Sequence, residues 1–249
     1  MKSGEKKRSL DSRRGFLKQA AATATTTKLN LWSSLAAALF TPEASAQFGK
    51  ALGAWTPRRQ PGTLWSFGFG ISGALGHSAT TSHSSPVQVT GSWTQIYGTP
   101  QNNASIGFGI RPDGTLWGWG SQGFGQIGNG VASATYSSPV QIPGSWLFVG
   151  PGSQHTFGIK SDSTLWAWGN GALGRLGVGS TTSYSSPVQI AGSWTQVSTG
   201  ASFSAAIRSD ATLWTWGANT DGVLGTGFSY LSPNQVAASG WSKVVAGGT

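Results

Sequence analysis

Three stretches of this sequence carry the letter pattern of a phosphate-cradling loop: GFGISG at 68–73, GWGSQG at 118–123 and GNGALG at 169–174 all satisfy G-x-G-x-x-G. A dinucleotide site of that form needs a helix opening at the third glycine, so that backbone amides face the pyrophosphate, and an acidic residue about 20 positions on for the ribose. Each stretch runs instead into a proline-led, strand-like segment with no acid nearby. The glycines therefore read as turn residues that supply positive φ. Acid–base chemistry is equally thin. Beyond residue 46 there is no Glu, and the four Asp are Asp113, Asp162, Asp210 and Asp221. Three of them follow a basic residue by two positions (Arg111, Lys160, Arg208), in RPDGT, KSDST and RSDAT. Aspartate there closes a turn on its own backbone, with a surface ion pair to the base. A paired-carboxylate site would need two of these to converge across units. His77, His83 and His155 are scattered, with none of the close spacing of a metal-binding helix, and no G-x-S-x-G elbow occurs. The expectation is no catalytic residue, no cofactor and no metal.

What must position any functional residue is a repeat. Leu-Trp pairs stand at Leu64/Trp65, Leu116/Trp117, Leu165/Trp166 and Leu213/Trp214; prolines after serine at Pro86, Pro139, Pro187 and Pro233; and a tryptophan after each at Trp93, Trp146, Trp194 and Trp241. A period near 50 residues implies a stacked supersecondary unit. The units are 62–113, 114–162, 163–210 and 211–249, the last incomplete. Within the third, TLWAWG, SPVQI, WTQVS and SFSAAIR read as four short strands of one antiparallel sheet. TLWAWG is apolar on both faces, Leu165 on one and Trp166 with Trp168 on the other, so the sheet must be sandwiched between neighbours. Radial stacking of such sheets is the β-propeller solution. The fold class is all-β, a partial propeller of four-stranded blades with three full blades and an incomplete fourth. Of 13 tryptophans 11 sit at repeat positions, Trp166 among them, and are assigned to the core between blades.

The units GTLWGWGSQGFGQIGNG with HTFGIKSD, and STLWAWGNGALGRLGVG with SFSAAIRSD, resemble the regulator of chromosome condensation repeat family. The resemblance covers residues 62 to 249. It implies a propeller, commonly of seven blades, used as a binding platform; in that family a founding member exchanges nucleotide on a small GTPase at chromatin, and exported bacterial relatives include a β-lactamase inhibitor. Seven blades of this period need about 350 residues. Either the sequence is truncated or self-association with another copy completes the ring.

The chain has a formal charge of +9, but residues 1–46 hold eight basic and three acidic residues, leaving a scattered +4 over the rest. No basic stripe suggests nucleic acid. Ser12, Arg13, Arg14, Phe16, Leu17 and Lys18, in SRRGFLK, resemble the twin-arginine export motif of bacteria; an apolar run, LNLWSSLAAALF, and then Ala44 and Ala46 of ASA follow. Cleavage is placed after Ala46, with a linker at 47–61. The apolar run, at 29–40, is too short for a permanent span, which takes about 20 residues. The expected location is periplasmic or secreted, reached through the export translocase, and the absence of cysteine removes disulfides without contradicting it.

Three residues before each repeat proline stand His83, Tyr136, Tyr184 and Tyr230. Equivalent positions in radial blades project from one side, so they form a candidate binding face of polar aromatics; the alternative is that each ring packs on its own proline. The reading is an exported, non-catalytic binding module for an extracytoplasmic protein or cell-surface ligand. Two alternatives stay open: an extracytoplasmic enzyme whose site lies in blades beyond this sequence, and a guanine-nucleotide exchange propeller.

Overall fold

A computed structural model describes residues 61–99 and 106–247. The export motif, the cleavage site and most of the linker lie outside the described residues. Among the described residues twelve strands alternate with short hairpins and longer loops. β1 (Gly62–Gly68) pairs with β2 (His83–Trp93), while β3 (Gln95–Gly98), β4 (Ile106–Ile110), β5 (Thr115–Gln122) and the first part of β6 (Ala134–Pro151) form a second antiparallel sheet. The end of β6 opens a third with β7 (His155–Lys160), β8 (Thr164–Gly169) and the start of β9 (Tyr184–Thr199). The end of β9 opens a fourth with β10 (Phe203–Arg208), β11 (Thr212–Gly217) and β12 (Tyr230–Ser239).

The sheet and the sequence unit are therefore out of phase, which corrects the grouping expected above. TLWAWG and SPVQI lie in the third sheet, WTQVS and SFSAAIR in the fourth. The handover occurs at the GSW step. Gly192 takes φ +117, a left-handed value that a side chain disfavours, and there β9 stops pairing with β8 and begins pairing with β10. Tight Asp-Thr turns then fold each SFSAAIR-type strand back onto the next TLW strand, because strands joined by so few residues pair as hairpins. Among the described residues three sheets are four-stranded and the first is two-stranded.

Apolar clusters fill the spaces between successive sheets. Phe108, Leu116, Ile127 and Ile142 pack with Trp146 and Trp168 between the second and third; Phe157, Leu165, Leu176 and Ile190 pack with Trp194 and Trp216 between the third and fourth. The indoles meet edge to face, Trp146 on Trp168 at 5.4 Å and Trp194 on Trp216 at 6.0 Å between ring centroids. The assignment fails at Trp65 and Trp241, which are exposed, and holds only in part at Trp117, Trp166 and Trp214, which are half-buried, whereas Trp168, two residues after Trp166, is wholly enclosed.

A hydrogen-bonded seam accompanies this packing. The loop after each TLW strand presents a carbonyl to the indole N–H of the next sheet: Trp119 donates to Ala74 at 3.1 Å, Trp168 to Gln126 at 2.7 Å and Trp216 to Arg175 at 3.0 Å. A glycine two residues after each acceptor makes room. A Cβ on Gly128 or Gly177 would lie 2.6 Å from the Trp168 or Trp216 indole nitrogen. Of the G-x-G-x-x-G letters, the last glycine of the first and third copies also meets the next sheet: a Cβ on Gly73 would lie 2.7 Å from the Tyr136 carbonyl oxygen and one on Gly174 2.6 Å from the Leu231 side chain. Gly68, Gly73, Gly120, Gly169 and Gly174 do take positive φ, but Gly70, Gly118, Gly123 and Gly171 do not; Gly70 and Gly171 are required because a Cβ there would lie 1.9 Å from the Thr81 or Thr182 carbonyl oxygen.

Candidate interaction surface

Antiparallel strands bring alternate connections to opposite ends of a sheet. The short hairpins at Arg111–Gly114, 161–163 and 209–211 share one end with the GSW handovers, as Trp194 N donating to Ser163 O at 2.8 Å confirms. The long connections that carry the glycine motifs, 69–82, 123–133, 170–183 and 218–229, occupy the other.

At the hairpin end the aspartates do what the sequence suggested, and the bases do not. Asp113, Asp162 and Asp210 each accept from the backbone N–H and hydroxyl of a threonine two residues on, at 2.6–3.0 Å. Those bonds, the hydroxyl first, hold each carboxyl below its ordinary range. The threonine hydroxyl then accepts from the first tryptophan of the strand, as from Trp166 at 2.8 Å. Arg111, Lys160 and Arg208 lie over these same indoles, 3.8, 3.7 and 3.8 Å from the ring centroids of Trp117, Trp166 and Trp214. The expected ion pair is thus a cation–π stack, with a second indole 4.8–5.2 Å away on the same cation.

At the loop end the four candidate residues occupy one structural position. His83, Tyr136, Tyr184 and Tyr230 pair in register with Gly68, Gly120, Gly169 and Gly217. All four are half-buried. Tyr136 packs against the cluster between the second and third sheets, Tyr184 and Tyr230 against that between the third and fourth. The residue after each tyrosine is clamped by the preceding loop, Ser137, Ser185 and Leu231 accepting from Ser78, Gly130 and Gly179 at 2.7–2.9 Å. Tyr184 shares a cleft of about 350 Å³ with Pro233 of the following sheet. His77 and His83, expected to be scattered, meet edge to face at 4.5 Å. Among the described residues no three His, Cys, Asp or Glu gather as a metal site, and no helix is long and apolar enough to cross a membrane.

Two features of this end escaped sequence reading. The first is a row of exposed apolar side chains on the loops: Ile71, Phe124, Leu173 and Phe228, with Leu173 55% exposed. Leu173 also sits at φ +61, ψ +14, where Ser72 and Asp221 occupy the equivalent turn position. Aligning the four loops on Gly73, Gly125, Gly174 and Gly222 would have shown Ser, Phe, Leu and Asp at that place. The second is a buried polar group beneath the loops. The Gln154 side-chain oxygen accepts from Asn170 at 2.8 Å and Arg175 at 3.2 Å, and Arg175 also reaches the Ala201 carbonyl at 3.2 Å. Next to it His155 is fully enclosed, with Nε2 3.2 Å from the Ser204 hydroxyl; burial, then the Arg175 charge, drives its pKa down to about 3.

The family model described as the regulator of chromosome condensation (RCC1) repeat matches residues 61–97 and 162–207, and a second model of that description matches 194–223. No curated protein matches the sequence. Among solved structures the chain is similar to human WBSCR16, with 22% identity and a TM-score of 0.61 over 71% of this chain and 49% of that one. It is also similar to Prp20p from Saccharomyces cerevisiae, described for its binding to Gsp1p and histones, with 18% identity and a TM-score of 0.61 over 71% and 47%. Yeast RCC1 (Prp20) bound by Kap60 gives 18% and 0.60 over 71% and 45%. The chain spans about half the length of these relatives. The matches support the family resemblance of the repeats, and the fold is a partial β-propeller.

Proposed function

We propose that this chain is an exported, non-catalytic propeller that binds an extracytoplasmic protein through its loop end. The observation that carries the reading is Leu173: a large apolar residue, exposed, held in a left-handed conformation that costs an L-residue about 1–2 kcal/mol. Its equivalents Ser72 and Asp221 are polar. Strain of this kind, with exposed apolar surface, persists at binding sites because the site needs it. Phe124 stands at the same position of the preceding loop, and His83, Tyr136, Tyr184 and Tyr230 are half-buried at the same end of the sheets. Similarity to a propeller described for its protein partners supports an interaction role; what Prp20p binds is a property of that protein.

Leu173→Asn is expected to raise stability by up to about 1 kcal/mol, since asparagine tolerates the left-handed region, while weakening partner capture. Photo-cross-linking in the exported fraction reads the second half. A photoreactive residue at position 124 or 173 should give adducts and one at position 113 or 162 should not; adducts from the hairpin positions alone would place the interface at the other end. Export rests on SRRGFLK, so replacing Arg13 and Arg14 together by lysine should leave the precursor in the cytoplasm with Ala46–Gln47 uncleaved. Normal extracytoplasmic accumulation of that variant, with Gln47 as its N-terminus, would remove the export assignment.

A further inference from the structure

The face that the fourth sheet turns away from the third carries the elements with which the earlier sheets hold a neighbour. Its loop glycines Gly222, Gly225 and Gly227 take φ of +75, +66 and +83, close to the +73, +71 and +78 of Gly174, Gly177 and Gly179 one unit earlier. A Cβ on Gly174 or Gly177 would strike the following sheet at 2.6 Å, whereas one on Gly222 or Gly227 would meet nothing within 4 Å and one on Gly225 only Val236, at 4.0 Å. The space so kept is a cavity of about 410 Å³. Ala205, Leu213, Leu224 and Val236 line it, the counterparts of the Phe157, Leu165, Leu176 and Ile190 that surround Trp216. Val223, also on its wall, stands where Gln126 and Arg175 offer a carbonyl to an indole.

The complementary half lies on the first sheet. Phe67 precedes Gly68, which pairs with His83 as Gly120, Gly169 and Gly217 pair with the tyrosines, so Phe67 holds the position of Trp119, Trp168 and Trp216. Those indoles face the preceding sheet; Phe67 is 66% exposed, and Trp65 beside it on that face is exposed too. We propose that the two faces join head to tail: the fourth sheet of one copy receives the first sheet of a second copy, with Phe67 in the cavity and the Ser84 carbonyl accepting from Gly227 N as Ser185 accepts from Gly130. One chain carries both halves of a seam that it already builds three times, so a second copy fits without any new kind of surface, and the contact is heterologous. Burial of two exposed apolar faces supplies the driving force. Phe67 has no N–H for the Val223 carbonyl, which makes this joint weaker than the internal seams. It uses sheet faces and is independent of partner binding through the loop end.

Sedimentation equilibrium of the full chain reads the contact. The wild type should associate reversibly at about 100 μM. Phe67→Asp alters one face and Val245→Asp the other, where Val245 lines the cavity and is 75% exposed. Each should be a monomer that melts as the wild type does. Mixing the two should restore association as a 1:1 dimer and nothing larger, because the mixture retains one intact face of each kind. Phe67→Trp supplies the missing N–H and should tighten association by roughly fivefold, the worth of one hydrogen bond. A monomeric wild type, self-association of either aspartate variant, a mixture that stays monomeric, or a Phe67→Trp protein that associates no more tightly would each overturn the proposal.

Discussion

Replacing Trp168 by alanine is expected to destabilise the propeller by about 3–5 kcal/mol, the cost of deleting a large aromatic side chain from a packed core. Trp168 is 0% exposed, meets Trp146 edge to face, and donates its indole hydrogen to the Gln126 carbonyl of the preceding sheet. Its loss opens a cavity between two sheets and removes one of the two bonds to the Gln126 carbonyl, which Thr156 still serves at 2.8 Å. Trp166→Ala should cost distinctly less. Trp166 is half-buried under Lys160 at the margin of the apolar cluster between the second and third sheets, so the change removes a cation–π stack, a bond to Thr164 and marginal packing instead of a wholly enclosed side chain. Chemical unfolding of both variants gives the comparison, and equal losses would mean that the two tryptophan positions on this face of the TLW strand are equally enclosed. Because each sheet contacts only its neighbours, the loss at Trp168 should fall on one interface, and amide exchange should rise first in β5 to β8.

The architecture was legible because its causes are local and repeated. Alternation with apolar residues on both faces of TLWAWG requires a sandwiched sheet, and four copies of it require stacking. The phase of the sheets was not legible, since a period of about 50 residues is the same wherever the count begins; only the handover at Gly144 and Gly192, with φ of +115 and +117, decides which strands share a sheet. The hairpin aspartates were predictable from turn chemistry. Their basic neighbours were not, because a tryptophan six residues along the sequence is brought over the cation by strand pairing, and an indole face competes there with an exposed carboxylate. The candidate ring at His83, Tyr136, Tyr184 and Tyr230 was found by spacing alone. That all four share a register position follows from the repeat, but the half-burial of the three tyrosines follows from packing on the clusters between sheets, which one repeat does not contain. Leu173 is the converse case. It looks like core in a hydrophobicity pattern and is exposed because the turn it occupies points outward.

Stability is expected to fall steeply in mild acid, and His155 is the reason. In the folded chain burial, reinforced by the Arg175 charge, lowers its pKa from 6.5 to about 3. A depressed pKa in a basic group means that the unfolded state takes up the proton first. The stability tied to neutral His155 is therefore complete above about pH 6.5 and is lost as pH falls from there toward 3, at 1.36 kcal/mol for each unit of pH. By pH 4.5 the loss should be about 3 kcal/mol. Asp113, Asp162 and Asp210 cannot produce this, because their depressed carboxyls act only below 3.8. The control is supplied by the repeat itself: Ile106 and Phe203 occupy the position of His155 in the flanking sheets, opposite Gly120 and Gly217 as His155 is opposite Gly169. His155→Phe should flatten the profile between pH 4.5 and 6.5, and Ser204 would keep its bond to the Arg175 carbonyl at 3.0 Å. A wild-type denaturation midpoint unchanged over that range would mean that His155 is solvated or paired as a cation, and the polar group under the loops would then have to be open to water.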